Sequence, residues 1–123
     1  MQIKLDSGST HLLIRGYQEG WVRVNDEQIY RSVVVMPDQL LRDWPPRSFE
    51  ELASSHFESL LAWSPEIVLL GTGARLRFPS PATTAALIDT GIGVEVMDTA
   101  AACRTYNVLA SEDRRVAAAL LMI

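Results

Sequence analysis

The alternation of apolar and polar positions in the first third of the chain is typical of short β-strands. Three segments carry this pattern: 11–15, 21–24 and 27–36. A turn bounded by Gly16 and Gly20 separates the first two, and Asn25-Asp26 supplies a tight turn before the third, since both residue types tolerate left-handed backbone angles. Strands joined by such short turns pair antiparallel. The first third is therefore predicted to form an antiparallel meander.

The middle of the chain predicts helices. Proline has no amide hydrogen and restricts the residue before it, so Trp44-Pro45-Pro46 ends regular strand pairing. Two capping-box patterns follow: Ser48 with Glu51, and Ser55 with Glu58. In each, a hydroxyl and a carboxylate are placed to accept amide hydrogen bonds at a helix start. The stronger helix is predicted over 56–63.

The second half alternates between strand and helix signals. Strands are predicted over 66–70, 94–97 and 116–122, and helices over 81–90 and 99–110. Ser80, Pro81 and Gly91 bracket the first of these helices. The second begins at a cap formed by Asp98 or Thr99, and it carries one apolar stripe. The stripe consists of Ala102, Cys103, Tyr106, Leu109 and Ala110.

The order strand–helix–strand–helix–strand predicts right-handed crossovers and parallel pairing of the three strands. We therefore expect an α/β fold of three layers, α+β/β/α, with a mixed sheet that the N-terminal meander continues or flanks. A chain of 123 residues has the size of one domain with a buried core. Since no change in composition marks a linker, residues 1–123 are predicted to form a single domain.

Composition and charge exclude several classes of protein. With 48% apolar and 21% charged residues, the composition is that of an ordinary globular protein. A formal charge of −4 argues against a nucleic-acid binder or a binder of anionic membranes. The longest apolar run, 116–123, is far shorter than the roughly 20 residues of a membrane-spanning helix. Without a recognisable signal peptide, and with the single cysteine Cys103, a cytoplasmic protein without membrane insertion is predicted.

Gly71-Thr72-Gly73 follows a buried strand and resembles a loop that approaches a phosphate. A dinucleotide-binding fingerprint requires another glycine three residues later, but that position is Leu76, and no Gly-Lys-Ser/Thr is present. Two interpretations stay open at this stage. The segment is either a turn at which two backbones pass closely or a backbone nest for a small anion.

Asp98 and Thr99 stand where a predicted parallel strand meets the 99–110 helix. Open α/β sheets bind ligands at the carboxyl ends of their strands, and the Gly71–Gly73 loop is expected at the same edge. Helix capping by itself also explains both residue types. Asp98 and Thr99 are therefore candidates for a ligand site and, equally, for an ordinary helix start.

Arg104 and Asn107 share a polar face of the same helix, which is either solvated or used for recognition. Arginine with asparagine suits binding of a carboxylate or phosphate. We predict that both belong to a recognition surface beside the glycine loop, with Asn107 alternatively bonding the backbone of 110–114. Glu112 and Arg114 are expected to pair with each other or to brace Arg104.

No complete catalytic or metal-binding constellation is recognisable in the sequence. His11 and His56 stand apart from other residues that could ligate a metal. Cys103 lies on the apolar stripe, where a thiol normally packs in the core and is unreactive. Neither a metal nor a cofactor is predicted, and nothing in the sequence requires an enzyme.

Four segments of the second half together resemble a known family. They are Leu69-Leu70-Gly71-Thr72-Gly73, residues 91–99, residues 101–109 and Glu112-Asp113-Arg114. The pattern is similar to the small domain typified by mitochondrial complex I assembly factor 3, which uncharacterised bacterial and archaeal proteins share. Its most specific part is Ala-Cys-Arg-Thr-Tyr-Asn followed by Glu-x-Arg. The resemblance extends over about residues 11–123.

The resemblance implies a three-layered α+β/β/α domain and, for the mitochondrial relatives, a non-catalytic role in assembling NADH:ubiquinone oxidoreductase. Because no mitochondrial presequence is recognisable, the chain looks like a bacterial member. Our preferred hypothesis is a non-enzymatic binding or assembly module that acts on a protein partner. The alternative is a small-anion or metabolite binder, with weak enzymatic activity left open. The candidate surface consists of Gly71, Thr72, Gly73, Asp98, Thr99, Arg104, Asn107, Glu112 and Arg114.

Overall fold

A computed structural model describes residues 11–123 of the chain. The first residues, on which the prediction of no signal peptide rests, lie outside this part. The strands are β1 (Ile14–Gln18), β2 (Trp21–Val24), β3 (Glu27–Ile29), β4 (Val33–Met36), β5 (Gln39–Leu41), β6 (Ile67–Thr72), β7 (Gly93–Met97) and β8 (Val116–Leu121). The α-helices are α1 (Ser54–Glu58), α2 (Pro81–Asp89) and α3 (Thr99–Ser111), and short 3₁₀ segments cover Phe49–Glu51 and Ser59–Trp63.

These strands form two sheets. The first is the antiparallel meander β1-β2-β3, and the second has the order β5-β4-β8-β6-β7. In the second sheet β6 pairs in parallel with both β7 and β8, whereas β4 pairs antiparallel with β5 and β8. The predicted mixed sheet with a parallel second half is confirmed, and the meander flanks it as a sheet of its own.

The five-stranded sheet is the middle of three layers. Side chains alternate along β8: Val116, Ala118 and Leu120 enter one core and Ala117, Ala119 and Leu121 the other, as expected for a strand buried on both faces. The first core lies under α3 and the meander, with Tyr106 and Val22 fully buried. The second core lies under α1 and α2, with Phe57 and Leu87 fully buried.

The prediction of a single strand over 27–36 is wrong. β3 ends at Ile29, β4 starts at Val33, and the two belong to different sheets. Between them Ser32 is buried, and its carbonyl accepts a hydrogen bond from the Trp44 amide at 3.1 Å. The chain therefore changes sheets between Ile29 and Val33, and within this break the Ser32 carbonyl bonds to a distant segment.

Two further corrections concern the strands of this region. β1 runs through Gly16 to Gln18, so the turn is at Glu19-Gly20 only. Gly16 belongs in the strand because it pairs with Arg23 of β2, next to an irregularity in the register between Ile14 and Gly16. β5 is absent from the prediction, and it forms a hairpin with β4 through Pro37-Asp38.

Both predicted capping boxes are wrong. Ser48 forms no side-chain cap, and the Glu51 carboxylate accepts a hydrogen bond from the Arg47 amide at 2.9 Å. The second helix begins at Ser54, where the Ala53 amide donates to His56 Nδ1 at 3.1 Å. The His56 imidazole thus does what a carboxylate was expected to do, and the helix is α-helical over Ser54–Glu58 before it tightens to 3₁₀.

The elements of the second half agree with the prediction to within one or two residues. Asp98 is the N-cap of α3, and its Oδ1 accepts from the Ala101 amide at 2.8 Å. Thr99 is the first helical residue. On the predicted stripe of α3, Ala102, Cys103, Tyr106 and Ala110 are buried, while Leu109 is partly buried.

Candidate functional site

The carboxyl ends of β6 and β7 bring five of the predicted residues to one edge of the sheet. Gly71 and Thr72 are the last residues of β6, and Gly73 follows directly. Asp98 and Thr99 follow β7 in the same way. Because β6 and β7 are parallel neighbours, both turns lie at the same edge, as the sequence indicates.

Thr99 joins three parts of this edge through its hydroxyl and its amide. Its Oγ1 accepts from the Gly73 amide at 2.8 Å and donates to the Leu121 carbonyl at 2.6 Å. The Thr99 amide donates to the Gly73 carbonyl at 3.0 Å. Since Thr99 is fully buried, these bonds connect the ends of β6 and β8 to the start of α3 away from water.

Gly71 and Gly73 are required by close approach and by backbone angle. A Cβ on Gly71 would stand 3.0 Å from the Thr99 backbone and from the Leu120 side chain. Gly73 has φ +97°, a conformation that L-residues rarely adopt. The geometry matches the turn at which two backbones pass closely.

The Thr72 hydroxyl organises the segment that follows β6. It donates to the Arg75 carbonyl at 2.6 Å and accepts from the Arg77 amide at 3.2 Å. Two amides that an anion nest could use here are already bonded within the fold: the Gly73 amide donates to Thr99 Oγ1, and the Ala101 amide donates to the Asp98 carboxylate.

Arg104 and Asn107 lie further along α3 and contact the meander. Arg104 Nη1 donates to the Tyr17 hydroxyl at 2.7 Å on the surface. The Asn107 side chain accepts from the Ile14 amide at 2.8 Å and donates to the Ile14 carbonyl at 2.7 Å. The alternative prediction, that Asn107 bonds the backbone of 110–114, is therefore wrong. The Asn107 side chain attaches β1 to α3.

Glu112 and Arg114 lie beyond the C-terminal end of α3, next to the beginning of β6. Glu112 is the C-cap of α3, and Arg114 Nε forms an ion pair with Glu66 Oε1 at 3.1 Å. The hydrogen bond from Arg114 is the main reason that the pKa of Glu66 is below its usual value. The nine predicted residues thus occupy three separate places: the carboxyl edge, the α3–meander contact and the opposite end of the sheet.

The carboxyl edge also carries a groove that the sequence prediction missed. One cleft of about 240 Å³ is lined by Tyr30, Arg31, Asp43, Trp44, Pro45 and others. A second, of about 220 Å³, is lined by Phe49, Glu50, Thr72, Gly73, Arg75, Arg77 and others. Arg47 and Met122 line both clefts. We call the two clefts together the arginine groove, after Arg31, Arg47, Arg75 and Arg77.

Two of these four arginines, Arg31 and Arg77, have a carboxylate partner within the groove. Arg31 lies 3.4 Å from Asp43, and Arg77 lies 2.8 Å from Glu50 with its guanidinium 4.2 Å from the centre of the Phe49 ring. The hydrogen bond from Arg77 is the main cause of a lowered pKa at Glu50, which keeps that carboxylate ionised.

Arg47 and Arg75 form no ion pair with any residue in 11–123, and both are exposed. Four arginines against two carboxylates leave the groove with a charge of about +2 in a chain whose formal charge is −4. The sequence contains one signal for this groove. Basic and apolar residues alternate directly after the glycine turn, in Arg75-Leu76-Arg77-Phe78.

The thiol of Cys103 belongs to the first core. Cys103 is buried, and desolvation raises the pKa of its thiol to about 12. Over residues 11–123, no group of His, Cys, Asp or Glu side chains is arranged to hold a metal ion. The same residues include no helix long and apolar enough to cross a bilayer. The chemistry that the groove itself offers is the binding of anionic groups by guanidinium.

Several proteins of known sequence are similar to this chain along most of its length. NADH dehydrogenase [ubiquinone] 1 alpha subcomplex assembly factor 3 of Danio rerio is 31% identical over 98% of the chain and 70% of the relative. The Bos taurus protein of the same name is 31% identical over 89% of the chain. The chain spans only 60% of the length of the Bos taurus relative.

Solved bacterial structures have the same fold. A Bordetella parapertussis protein matches with a TM-score of 0.87 at 33% identity, over 93% of this chain and 98% of that one. An NMR structure from Xanthomonas campestris matches with a TM-score of 0.83 at 41% identity, over 99% and 92% of the two chains.

The sequence profile of a family described as "Protein of unknown function (DUF498/DUF598)" matches residues 14–121. These residues include the whole second half, on which the resemblance to complex I assembly factor 3 rests, and that resemblance is confirmed by the relatives above. The chain belongs to the DUF498/DUF598 family.

Proposed function

We propose that this chain is a non-enzymatic binding module of the assembly type, which holds a protein partner at the carboxyl edge of its five-stranded sheet. One observation carries the proposal: the arginine groove leaves Arg47 and Arg75 without ion-pair partners in 11–123, beside exposed apolar side chains. Tyr30, which lines the first cleft, is 66% exposed. Cationic groups next to exposed aromatic rings are what protein interfaces commonly contain.

The candidate residues divide into supports and contacts under this proposal. Gly71, Thr72, Gly73, Asp98 and Thr99 hold the edge in shape through their internal hydrogen bonds. Arg104 offers a further exposed cation on α3, and Asn107 keeps the meander in place beside it. Glu112 and Arg114 stay candidates for a separate contact at the opposite end.

The names of the Bos taurus and Danio rerio relatives support an assembly role. They are called assembly factors of NADH dehydrogenase, and an assembly factor must recognise the proteins that it helps to assemble. For this chain, a protein partner and a cytoplasmic location remain predictions. A small-anion or metabolite binder is the competing function, and the same unpaired arginines are the feature that favours it.

Site-specific photocrosslinking in the native cell tests the proposal. A photoreactive phenylalanine analogue replaces Phe78, which follows the groove residue Arg77 in the chain, or Ile88 on α2. These side chains are 71% and 56% exposed. We expect discrete protein adducts from position 78 and none of the same mass from position 88. A parallel thermal-shift screen of nucleotides, sugar phosphates and carboxylates tests the competing function.

Stabilisation by one small molecule together with no adduct from position 78 would overturn the protein-binding proposal. A ligand present at 100 times its dissociation constant adds about 2.7 kcal/mol to the free energy of unfolding, so a tight metabolite is readily detected.

A further inference from the structure

Arg47 and Arg75, which form no ion pair with residues 11–123, indicate the chemistry of the occupant of the groove. We propose that the arginine groove binds an extended acidic segment of a protein partner, with carboxylates at Arg47 and Arg75 and an apolar side chain between them. This inference rests on the proposed function and specifies the ligand of the same site. It does not follow from the family, whose described function is unknown.

Charge complementarity is the first reason. Arg31 and Arg77 already have carboxylate partners within the groove, so a ligand gains little by approaching them. Arg47 and Arg75 have no such partner in the described chain, and each presents a planar set of donors that fits a carboxylate. An acidic ligand would therefore pair with them without first breaking an existing ion pair.

The shape of the groove favours an extended ligand. The two clefts are similar in volume, at about 240 and 220 Å³, and Arg47 and Met122 line both of them. A compact anion would fill one cleft and leave the other empty. A strand-like segment, in which successive side chains alternate in direction, can place side chains in both clefts.

Apolar side chains supply the rest of the contact. Pro45 and Met122 line the first cleft together with the exposed ring of Tyr30. A purely anionic ligand such as phosphate would leave these surfaces in water, whereas a peptide with an apolar residue between acidic ones would cover some of them.

The Arg77–Glu50 pair keeps one wall of the groove in place. Arg77 lies against the Phe49 ring and bonds Glu50, while the Thr72 hydroxyl accepts from the Arg77 amide. The segment that carries Arg75 is bonded at its carbonyl by the same hydroxyl. These bonds hold the backbone around Arg75 in one conformation. Binding a ligand there therefore costs less conformational entropy.

A titration with a defined peptide tests the proposal. The probe is acetyl-Glu-Asp-Phe-Glu-Asp-amide, added to ¹⁵N-labelled protein in 50 mM salt, and backbone amide shifts are followed by NMR. We expect saturable shifts confined to the amides of residues 30–31, 43–44, 47–50, 73–77 and 122. The counterpart acetyl-Gln-Asn-Phe-Gln-Asn-amide should bind at least about tenfold more weakly, because it lacks the charges.

Matched double variants separate the groove from overall charge. R47Q/R75Q should weaken binding of the acidic peptide about tenfold or more, whereas R15Q/R23Q, which removes the same charge from exposed positions on β1 and β2, should change it less than about twofold. Equal losses in the two variants, or shifts that lie outside the groove, would overturn the proposal.

Other occupants are outcomes of the same experiment. Displacement of the peptide by inorganic phosphate at millimolar concentration would identify a small-anion site and overturn the proposal. Binding to phosphatidylglycerol vesicles without binding to the peptide would overturn it in favour of a membrane surface. Failure of the peptide while position 78 still crosslinks to a protein would reject the acidic ligand and leave the protein-binding module standing.

Discussion

Thr99 shows how a single hydroxyl determines the geometry of the candidate edge. It is fully buried, and it satisfies one amide at Gly73 and one carbonyl at Leu121. A buried polar group that loses its partner costs about 1–3 kcal/mol. Thr99 therefore belongs to the residues whose role is to hold the edge together, and its residue type is explained by these two bonds.

Replacing Thr99 with valine keeps the shape of the side chain and removes both hydrogen bonds. We expect T99V to lower the free energy of unfolding by about 2–4 kcal/mol, because a buried donor and a buried acceptor are left unpaired. Urea unfolding measures the change. T105V is the matched control, since Thr105 is on the same helix, half-buried and without a side-chain hydrogen bond to residues 11–123. It should cost less than about 0.5 kcal/mol, and equal losses would contradict the explanation.

Cys103 is expected to be unreactive in the folded protein. Burial raises the pKa of its thiol from 9.0 to about 12, so at pH 8 the thiolate fraction is about 10⁻⁴ in the folded state and about 0.1 in the unfolded state. Ellman's reagent should label the native protein slowly and label it fully in 6 M guanidinium. Rapid stoichiometric labelling of the native protein at pH 8 would show that the thiol is accessible.

At the scale of elements, α3 connects the parallel sheet to the meander through two neighbouring polar residues with different roles. Asn107 bonds both the amide and the carbonyl of Ile14, much as a neighbouring strand would. Arg104 bonds only the hydroxyl of Tyr17, on the exposed surface. The sequence places both on one polar face, and the contacts assign attachment to Asn107 and leave Arg104 available for recognition.

The two residues should therefore respond differently to removal of their side chains. We expect N107A to cost about 1–3 kcal/mol and to speed amide hydrogen exchange in β1, because Ile14 loses both partners. R104A should stay within about 0.5 kcal/mol of the parent protein, as exposed substitutions usually do. Thermal melts and amide exchange by mass spectrometry measure both effects.

The outcomes for Arg104 decide whether it belongs to a recognition surface. A stable R104A that loses partner capture supports recognition. A destabilised R104A that keeps its partners would reject this role and make the bond to Tyr17 structural.

At the scale of the whole molecule, the five-stranded sheet separates two cores that share its strands. Leu69 enters the core beneath α3 and the meander, and the next residue, Leu70, enters the core beneath α1 and α2. Both side chains are fully buried. Since each strand contributes to both cores, we expect the two to unfold together.

Alanine substitutions on the two faces of β6 test this coupling. L69A and L70A should each lower the free energy of unfolding by about 2–5 kcal/mol, and each should keep a single transition by circular dichroism and by tryptophan fluorescence. L76A, at a side chain that is 50% exposed, should change the free energy of unfolding by less than about 0.5 kcal/mol. Separate transitions for the two probes would show that the cores are independent.

The sequence alone determined those parts of the fold that depend on local signals. Continuous apolar runs and capping residues located β6, α2, β7, α3 and β8, because a strand buried on both faces and a helix with Pro81 or Asp98 at its start have distinct local patterns. At Gly71–Gly73 the local signals left two interpretations open, a closely packed turn and an anion nest, and the contacts with Thr99 favour the turn. These residues also carry the family resemblance, so fold class and family were both predictable.

Only the tertiary structure decided the contacts between segments distant in the chain. In the sequence β3 and β4 looked like one strand. The bond from the Trp44 amide to the Ser32 carbonyl, which accompanies the break between them, joins residues twelve positions apart and leaves no local signal. The arginine groove joins Arg31, Arg47 and Arg75 from separate loops, and no local pattern shows which of them find carboxylate partners. Periodicity reports the surroundings of one element at a time, whereas a surface site depends on where the ends of several elements meet.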